Sequence, residues 1–413
     1  MTDGWTRDSL FADLPQGLSS DSFSDVSSDV SRGTEGFLSQ VVRVRMHLIE
    51  NELKSPFAAA NAVYRKRRSI ILEVMDEDGL TGFGECVAFE GPWYTEETVD
   101  TAWRMLERYL IPLVLDDQRP MKSCRDVYER LMPVKGNPMA KAGLDMAMWD
   151  LEAKQHGQPL SRYIGGERAE IEAGVAVGIQ PSVEQTLSVI ERHLEEGYER
   201  IKVKISPSAD VTILEPIRNR FPDLAIMADA NGSYSSAADF ERLRLLDEFR
   251  LLMIEQPFGD KDWFGHARLQ AVLQTPVCLD ESIGSAADAR LAAGLKCCRA
   301  INVKLGRVGG YAEALAIDRL SRHWGMPLWC GGMLESGVGR AHSIALASLA
   351  SFRYPADISA TSRYWERDIV YPPAVVRGGR IAVPEGPGIG VAVDREWMEH
   401  LTLRTSEFQL GKL

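Results

Sequence analysis

Hydrophobic and polar positions follow two different rules along this chain, and the change between them falls near residue 165. From residue 39 onward, "VVRVRMHLIE" alternates apolar and polar side chains at the period of two that a half-buried strand requires. The run "SIILEVMDEDGLTGFGECVAF" then sets Asp78-Gly79 between two strand-like stretches, which predicts a hairpin turn. Helical spacing follows near 95–112, 123–132 and 139–156. Strands first and helices after predict an α+β module over residues 39–165.

Beyond that point a short apolar strand, a loop and an amphipathic helix recur. "EAGVAVGI" reads as a buried strand. After it, Ser182 and Gln185 fit a capping box, Leu187, Ile190 and Leu194 share one helix face, and Gly197 supplies the stop. The next strand is "ERIKVKIS", followed by "LAIMADA", "LLMIEQP", "PVCLDES", "RAINVKLG" and "MPLWCGG". Polar residues near the ends of these strands fall at Lys204, Asp229, Glu255, Asp280 and Lys304, spaced by 25, 26, 25 and 24 residues. A further step reaches Trp329 and Cys330. One βα unit per period predicts a parallel sheet covered by helices. Six or more such units predict a closed (β/α) barrel, whose strand C-termini all open on one face.

Composition narrows the functional classes. The 413 residues are 45% hydrophobic and 26% charged, which is ample material for a core. A formal charge of −12 argues against nucleic acid or an anionic membrane as the main partner, because neither meets a broad basic surface. No apolar run reaches membrane-spanning length, and the N-terminus lacks the basic-then-apolar order of a signal peptide. Six cysteines without a CxxC pair predict reduced thiols in a cytoplasm. Residues 1–38, with eight Ser and six Asp in the first 31, read as a disordered acidic tail. The size of the barrel predicts a homo-oligomer.

The predicted barrel rim carries the chemistry. Asp229, Glu255 and Asp280, on adjacent strands, form an oxygen-rich set suited to a hard divalent cation, Mg²⁺ first and Mn²⁺ as a substitute. Lys204 and Lys304 stand on strands either side and can approach a bound small-molecule carboxylate from opposite faces. Any one of these residues has an ordinary structural use, as a helix cap or a solvated side chain. Five recurring at successive strand ends do not. The reaction class that uses all of them is abstraction of a proton α to a carboxylate, where fixed positive charge stabilises the enediolate that develops.

At these residues the chain resembles the enolase superfamily in its muconate-lactonising-enzyme-like branch. The paired "KVK", then "DAN", "IEQP", "LDES" and the second lysine in "NVKLGRVGG" carry that likeness. More narrowly it is similar to the o-succinylbenzoate synthase / N-acylamino-acid racemase family, through "GPWYTEET" (91–98), "KGNPMAKAGLDMAMWD" (135–150), "WCGGMLESGVGRA" (329–341) and "DISATSRYW" (357–365). The resemblance implies an α/β fold, a (β/α)7β TIM-like barrel over 166–370 beneath an α+β capping domain over 39–165, with 371–413 returning to the cap. It implies Mg²⁺ ligands at Asp229, Glu255 and Asp280, a base at Lys204, an opposed lysine at Lys304, and Lys202 as a neighbour that favours loss of the Lys204 proton.

Asn231 and Glu281 are candidates for the layer behind these groups, and Arg307 is open between a part in racemisation and a structural ion pair. Tyr64 and the basic run Arg65 to Arg68 read as a solvated strand entry. Two reactions are implied: dehydration of 2-succinyl-6-hydroxy-2,4-cyclohexadiene-1-carboxylate to o-succinylbenzoate, a step towards menaquinone, and racemisation of N-succinylamino acids by the same two lysines. The chain departs from the family in "SPFAAANAVYRKRR" (55–68), at Pro138, at Leu305 and at Ser343. These departures leave the reaction class intact and bear on the substrate.

Overall fold

The computed structural model describes residues 36–58, 63–116 and 118–412, so the acidic tail lies outside the described residues apart from its last three positions. The alternating stretch becomes the strand Val41–Ala58, paired antiparallel with Val63–Asp76, which in turn pairs with Thr81–Cys86. Val44 and Met46, on the inward face of the first strand, are fully buried. Gly79 turns the hairpin at φ 85°, a conformation open to a residue without a Cβ, and its N–H donates to the Asp76 carbonyl at 3.1 Å. The C-terminal strand Thr402–Gln409 covers the other edge of Val41–Ala58, pairing Phe408 with Val44.

The helix Pro138–Gln155 lies across this four-stranded sheet at unusually short range. A Cβ on Gly84 would stand 2.1 Å from the Gly143 carbonyl oxygen, so glycines on both elements permit the approach. Leu72, Cys86 and Ala147 fill the space around that crossing in the main core. Two stretches of the sequence, "TGFGEC" and "AKAGLDMAMWD", are thereby explained by one packing contact.

Seven parallel strands follow in sequential order: Gly174–Val177, Arg200–Lys204, Ala225–Asp229, Met253–Glu255, Val277–Leu279, Ala300–Val303 and Leu328–Cys330. The ring closes through residues 351–357. Phe352 bridges Leu328 and Ala356 bridges Ala173, both in the parallel sense. The Gly174 N–H donates to Ala356 at 2.7 Å and the Asp357 N–H to Cys330 at 2.8 Å. Helices such as Val183–Glu195, whose N-cap Ser182 accepts the Gln185 N–H at 3.2 Å, cover the outside. The result is a (β/α)7β barrel beneath an α+β cap. No helix among the described residues is long and apolar enough to cross a membrane.

The period of two sorts the barrel's side chains into a shell and a filling. Ile201, Val203, Ile226, Ile254 and Ile301 face the helices in the outer core. Met227, Met253, Cys278, Ala300 and Trp329 form a separate inner core. Lys202 and Lys204 have the inward parity, above that floor. The polar face of "ERIKVKIS" is therefore the inner wall of the barrel.

Candidate active site

Strand register brings the ionisable ends together. Lys204 pairs with Asp229 across one ladder, and Asp229 with Glu255 across the next. Just past two of these ends the backbone enters the left-handed region without glycine, at Asn231 (φ 43°) and Gln256 (φ 39°), at a cost of about 1 kcal/mol or more each. Gln256 shows what holds such a conformation. Its side-chain Oε1 accepts the N–H groups of Asp280 at 2.9 Å and Ser282 at 3.3 Å, and its Nε2 donates to Ser282 Oγ at 2.8 Å. One side chain from "IEQP" thus fixes the strand end that carries the carboxylate of "LDES".

The rim is a buried network of alternating charge. Lys202 Nζ lies 3.1 Å from Asp229, 3.2 Å from Glu255 and 3.0 Å from Asp357. Lys204 Nζ donates to the same Asp229 oxygen at 2.7 Å and to Asn231 Oδ1 at 2.5 Å. Asn231 passes the contact on to Glu281 at 3.0 Å. On the far side, Lys304 Nζ donates to Asp280 at 2.6 Å and to the Tyr94 hydroxyl at 3.1 Å. Arg307 also binds Asp280, and anchors itself on the carbonyls of Ile283 and Asn302. Asn302 donates to Glu255 at 2.7 Å.

Burial and neighbouring charge pull these groups in different directions. Burial disfavours the ionised form of Asp229, yet Lys204 and Lys202 hold it well below the usual carboxylate range. Asp280 is held low in the same way, by Lys304 and Arg307 against its burial. At Glu255 the lysines do not suffice: burial and the adjacent Asp229 charge outweigh Lys202 and push it up to about 8. Glu281 rises to about 7 through burial and the nearby Asp280. Burial lowers Lys202 and Lys304, but the carboxylates around each outweigh it and raise both above an ordinary lysine.

The cap roofs this network. Phe57, Tyr64, Phe89 and Tyr94 line a cavity of about 570 Å³ whose floor includes Lys202, Lys204, Asp229 and Lys304. The Tyr64 and Phe89 rings pack against each other in a tilted pair, with centroids 5.0 Å apart. The basic run behind Tyr64 divides. Lys66 and Arg68 pair with Glu50 on the exposed strand, as a solvated entry would. Arg67 is instead buried, 4.3 Å from the Phe89 ring, and donates to the carbonyls of Val87 and Ala88. Its task is to hold the cavity wall.

The donor set fits a hard divalent cation. Asp229, Glu255 and Asp280 are all buried carboxylates on successive strands, and burial with the Asp229 charge disfavours ionisation of Glu255, which further positive charge among the three would favour. As they stand, no three acidic, histidine or cysteine side chains among the described residues surround a common point, because Lys202 bridges Asp229 and Glu255 while Lys304 holds Asp280.

Sequence reasoning named Lys202, Lys204, Asp229, Glu255, Asp280 and Lys304, and all lie in this network; Asn231, Glu281 and Arg307 join it. It missed Asp357 and Tyr94 as members. Asp357 lies 27 residues beyond Cys330, close to the barrel period of 24 to 26, and that spacing was the available signal.

Residues 42–165 match the family described as mandelate racemase / muconate lactonizing enzyme, N-terminal domain, and residues 185–397 match enolase C-terminal domain-like. The chain is 52% identical over 354 residues to an o-succinylbenzoate synthase of Geobacillus stearothermophilus, covering 86% of this chain and 94% of that protein. It is 47% identical over 364 residues to an N-succinylamino acid racemase of Thermus thermophilus, covering 88% and 98%. A solved enolase-superfamily structure from Listeria innocua superposes with a TM-score of 0.87 at 41% identity, over 90% of this chain and 100% of that one.

Proposed function

The chain belongs to the mandelate racemase / muconate lactonizing enzyme family of the enolase superfamily, and from that premise we propose that it is an o-succinylbenzoate synthase. The observation that carries the reading is the pair Lys204 and Lys304. They end the second and sixth strands of an eight-position ring, half a turn apart, and line one cavity. A site that only bound a carboxylate would have no use for two opposed amines.

Enzymes of this family generally use a divalent metal. Here Asp229, Glu255 and Asp280 would hold Mg²⁺, which when bound supplies Lewis-acid stabilisation of charge on the substrate carboxylate. Neutral Lys204 removes the α-proton of the cyclohexadiene acid, and the C–H electron pair passes into the carboxylate as an enediolate. The Lys304 ammonium offsets the added negative charge. The enediolate pair then returns to the ring and expels the hydroxyl group, which takes the proton from Lys204. Water leaves, the ring becomes aromatic, and Lys204 is neutral again. Lys202, paired with three carboxylates, remains a fixed cation beside it.

The same opposition of lysines favours one second reading, racemisation of N-succinylamino acids. One lysine would remove the α-proton from one face while the other delivers a proton to the opposite face. For setting, we infer a cytoplasmic homo-oligomer, in keeping with six buried free thiols and with the habit of such barrels to assemble.

Two assays on the purified protein with Mg²⁺ test these readings. One follows dehydration of the cyclohexadiene acid, and the other follows α-proton exchange of N-succinylamino acids in D₂O by NMR. Efficient dehydration supports the synthase. Racemisation without dehydration promotes the second reading. Neither activity, with metal demonstrably bound, sinks both.

A further inference from the structure

Two stretches that mark the family, "GPWYTEET" and "KGNPMAKAGLDMAMWD", contain none of the proposed ligands or lysines, yet both converge on Lys304. We propose that the cap helix Pro138–Gln155 sets the position of Lys304 through two buried carboxylates, Asp145 and Glu97, which act as positioning residues for that one face of the site. The proposal rests on the reading of Lys304 as a catalytic lysine.

Asp145 acts on the backbone. Lys304 opens the turn Leu305–Val308, in which the N–H groups of Arg307 and Val308 return to the Lys304 carbonyl at 3.0 and 3.1 Å. Gly310 closes the unit by donating to Leu305 at 3.0 Å. The cap pins this turn at two points. At Gly306, a Cβ would stand 2.4 Å from Val87. At the exit, Asp145 accepts the Tyr311 N–H at 2.6 Å, and its carboxylate lies so close that a Cβ on Gly310 would meet it at 2.3 Å. Asp145 thus sits at the N-terminus of the helix Tyr311–Trp324, where burial pushes its pKa up to about 7 and the Tyr311 N–H and the helix dipole act against that rise.

Glu97 acts on the ammonium. Its carboxylate accepts the N–H groups of Met139 and Ala140 at 2.8 and 2.9 Å, in the first turn of the same cap helix. Three residues earlier on the Glu97 loop stands Tyr94, whose hydroxyl meets Lys304 Nζ and Asp280. The helix thus reaches the Lys304 main chain through Asp145, and the Lys304 side chain through Glu97 and Tyr94. Lys204 differs: its partners, Asp229 and Asn231, both belong to the barrel.

Exchange of the two enantiomers of an N-succinylamino acid in D₂O separates the faces. Lys204→Ala and Lys304→Ala first assign each enantiomer's exchange to one lysine. Asp145→Ala is then expected to slow the Lys304-dependent exchange roughly ten-fold or more, and to leave the Lys204-dependent exchange within about two-fold. Asp145→Asn, whose amide oxygen still accepts the Tyr311 N–H, should recover most of the loss. Glu97→Gln, with one N–H now facing an amide donor, should show a smaller loss on the same face.

Equal slowing of both faces, or no slowing in any variant, overturns the proposal. Should Asp145→Ala fail to fold, Asp145→Asn and Glu97→Gln decide by the same asymmetry. Wild-type protein that exchanges neither enantiomer overturns the proposal, which requires exchange at the Lys304 face, and leaves the two-lysine synthase reading to the dehydration assay.

Discussion

Lys204 and Lys304 end strands half a turn apart around one ring, but among the described residues only Lys304 takes a hydrogen-bond partner from the cap. Lys204 leans on Asp229 and Asn231, and Asn231 on Glu281, so among the described residues its hydrogen-bond network is drawn from the ends of strands three and five. Lys304 sits between Asp280 of the barrel and Tyr94 of the cap, on a turn whose exit is held by Asp145 of the cap helix. Barrel geometry alone therefore fixes one face of the site, while the other depends on how the two domains meet.

The largest effect expected is from removing either amine. Lys204→Ala and Lys304→Ala should each lower dehydration by about 10³-fold, the range set by loss of a base or of a charge aimed at the developing anion. Both should abolish racemisation, and each should spare α-proton exchange on the face of the surviving lysine. A variant that still racemises at the wild-type rate would show that the roles are wrongly assigned.

That face-by-face division also shows what the sequence could reveal. The step of about 25 residues carried the reading from Lys204 to Lys304 and on to Cys330, because each strand was apolar and each ended in a polar group. A slightly longer step, 27 residues from Cys330, reaches Asp357, but "SFRYPAD" breaks the pattern with an arginine and with Pro355, which has no N–H for a ladder. The eighth wall of the barrel is built from that irregular segment, so its carboxylate went unread. Tyr94 was hidden for a different reason. Its partners lie about 190 and 210 residues away in the other domain, and no periodicity within a chain encodes a contact between two domains. The Lys204 face was legible because one repeating domain builds it; the Lys304 face joins that domain to a cap that does not repeat.

Asp357 offers a way to perturb both faces alike. Its carboxylate lies 3.0 Å from Lys202 and 3.7 Å from the buried Arg200, and these cations hold it below the usual carboxylate range against its burial. Asp357→Asn strands two buried positive charges, of which Lys202 keeps Asp229 and Glu255. The expected loss is about 3 kcal/mol of stability, read from urea unfolding midpoints. Exchange should fall by the same factor for both enantiomers, since Asp357 touches the barrel floor and not the cap. A loss confined to the Lys304 face would break the division drawn above.

A smaller effect is expected from pH at the seam on the Lys304 side. His342, in the helix Gly337–Ala347, is fully buried; its Nε2 donates to the Phe83 carbonyl of the cap at 2.8 Å and its Nδ1 faces the Tyr311 hydroxyl at 3.1 Å. Burial lowers its pKa to about 4 from an ordinary 6.5. Because the folded value lies below the unfolded one, the contribution is complete above about pH 6.5 and is lost as pH falls through about 4. Between pH 7 and 4 the wild type should lose about 2 kcal/mol more unfolding free energy than His342→Gln, whose side chain does not titrate. Parallel losses would mean that His342 contributes nothing to the seam's acid sensitivity.

The smallest and sharpest test is one oxygen atom. Tyr94→Phe keeps the ring, whose centroid lies 4.8 Å from Lys304 Nζ, and removes the hydroxyl that joins Lys304 to Asp280 at 3.1 and 3.2 Å. That phenol is itself pushed up to about 12 by burial and by the Asp280 charge, so it stays protonated and donates to the carboxylate while accepting from the ammonium. A hydrogen bond to a charged group is worth about 1.5 kcal/mol, which corresponds to a loss of roughly ten-fold in Lys304-dependent exchange. The ring still closes the cavity wall, so substrate affinity should change little and the effect should fall on kcat rather than KM. Lys204-dependent exchange should not move, because the Tyr94 hydroxyl binds none of its partners. Were both faces to slow together, the cap would be shaping the cavity as a whole, and the contrast between the lysines would reduce to a difference in their nearest neighbours.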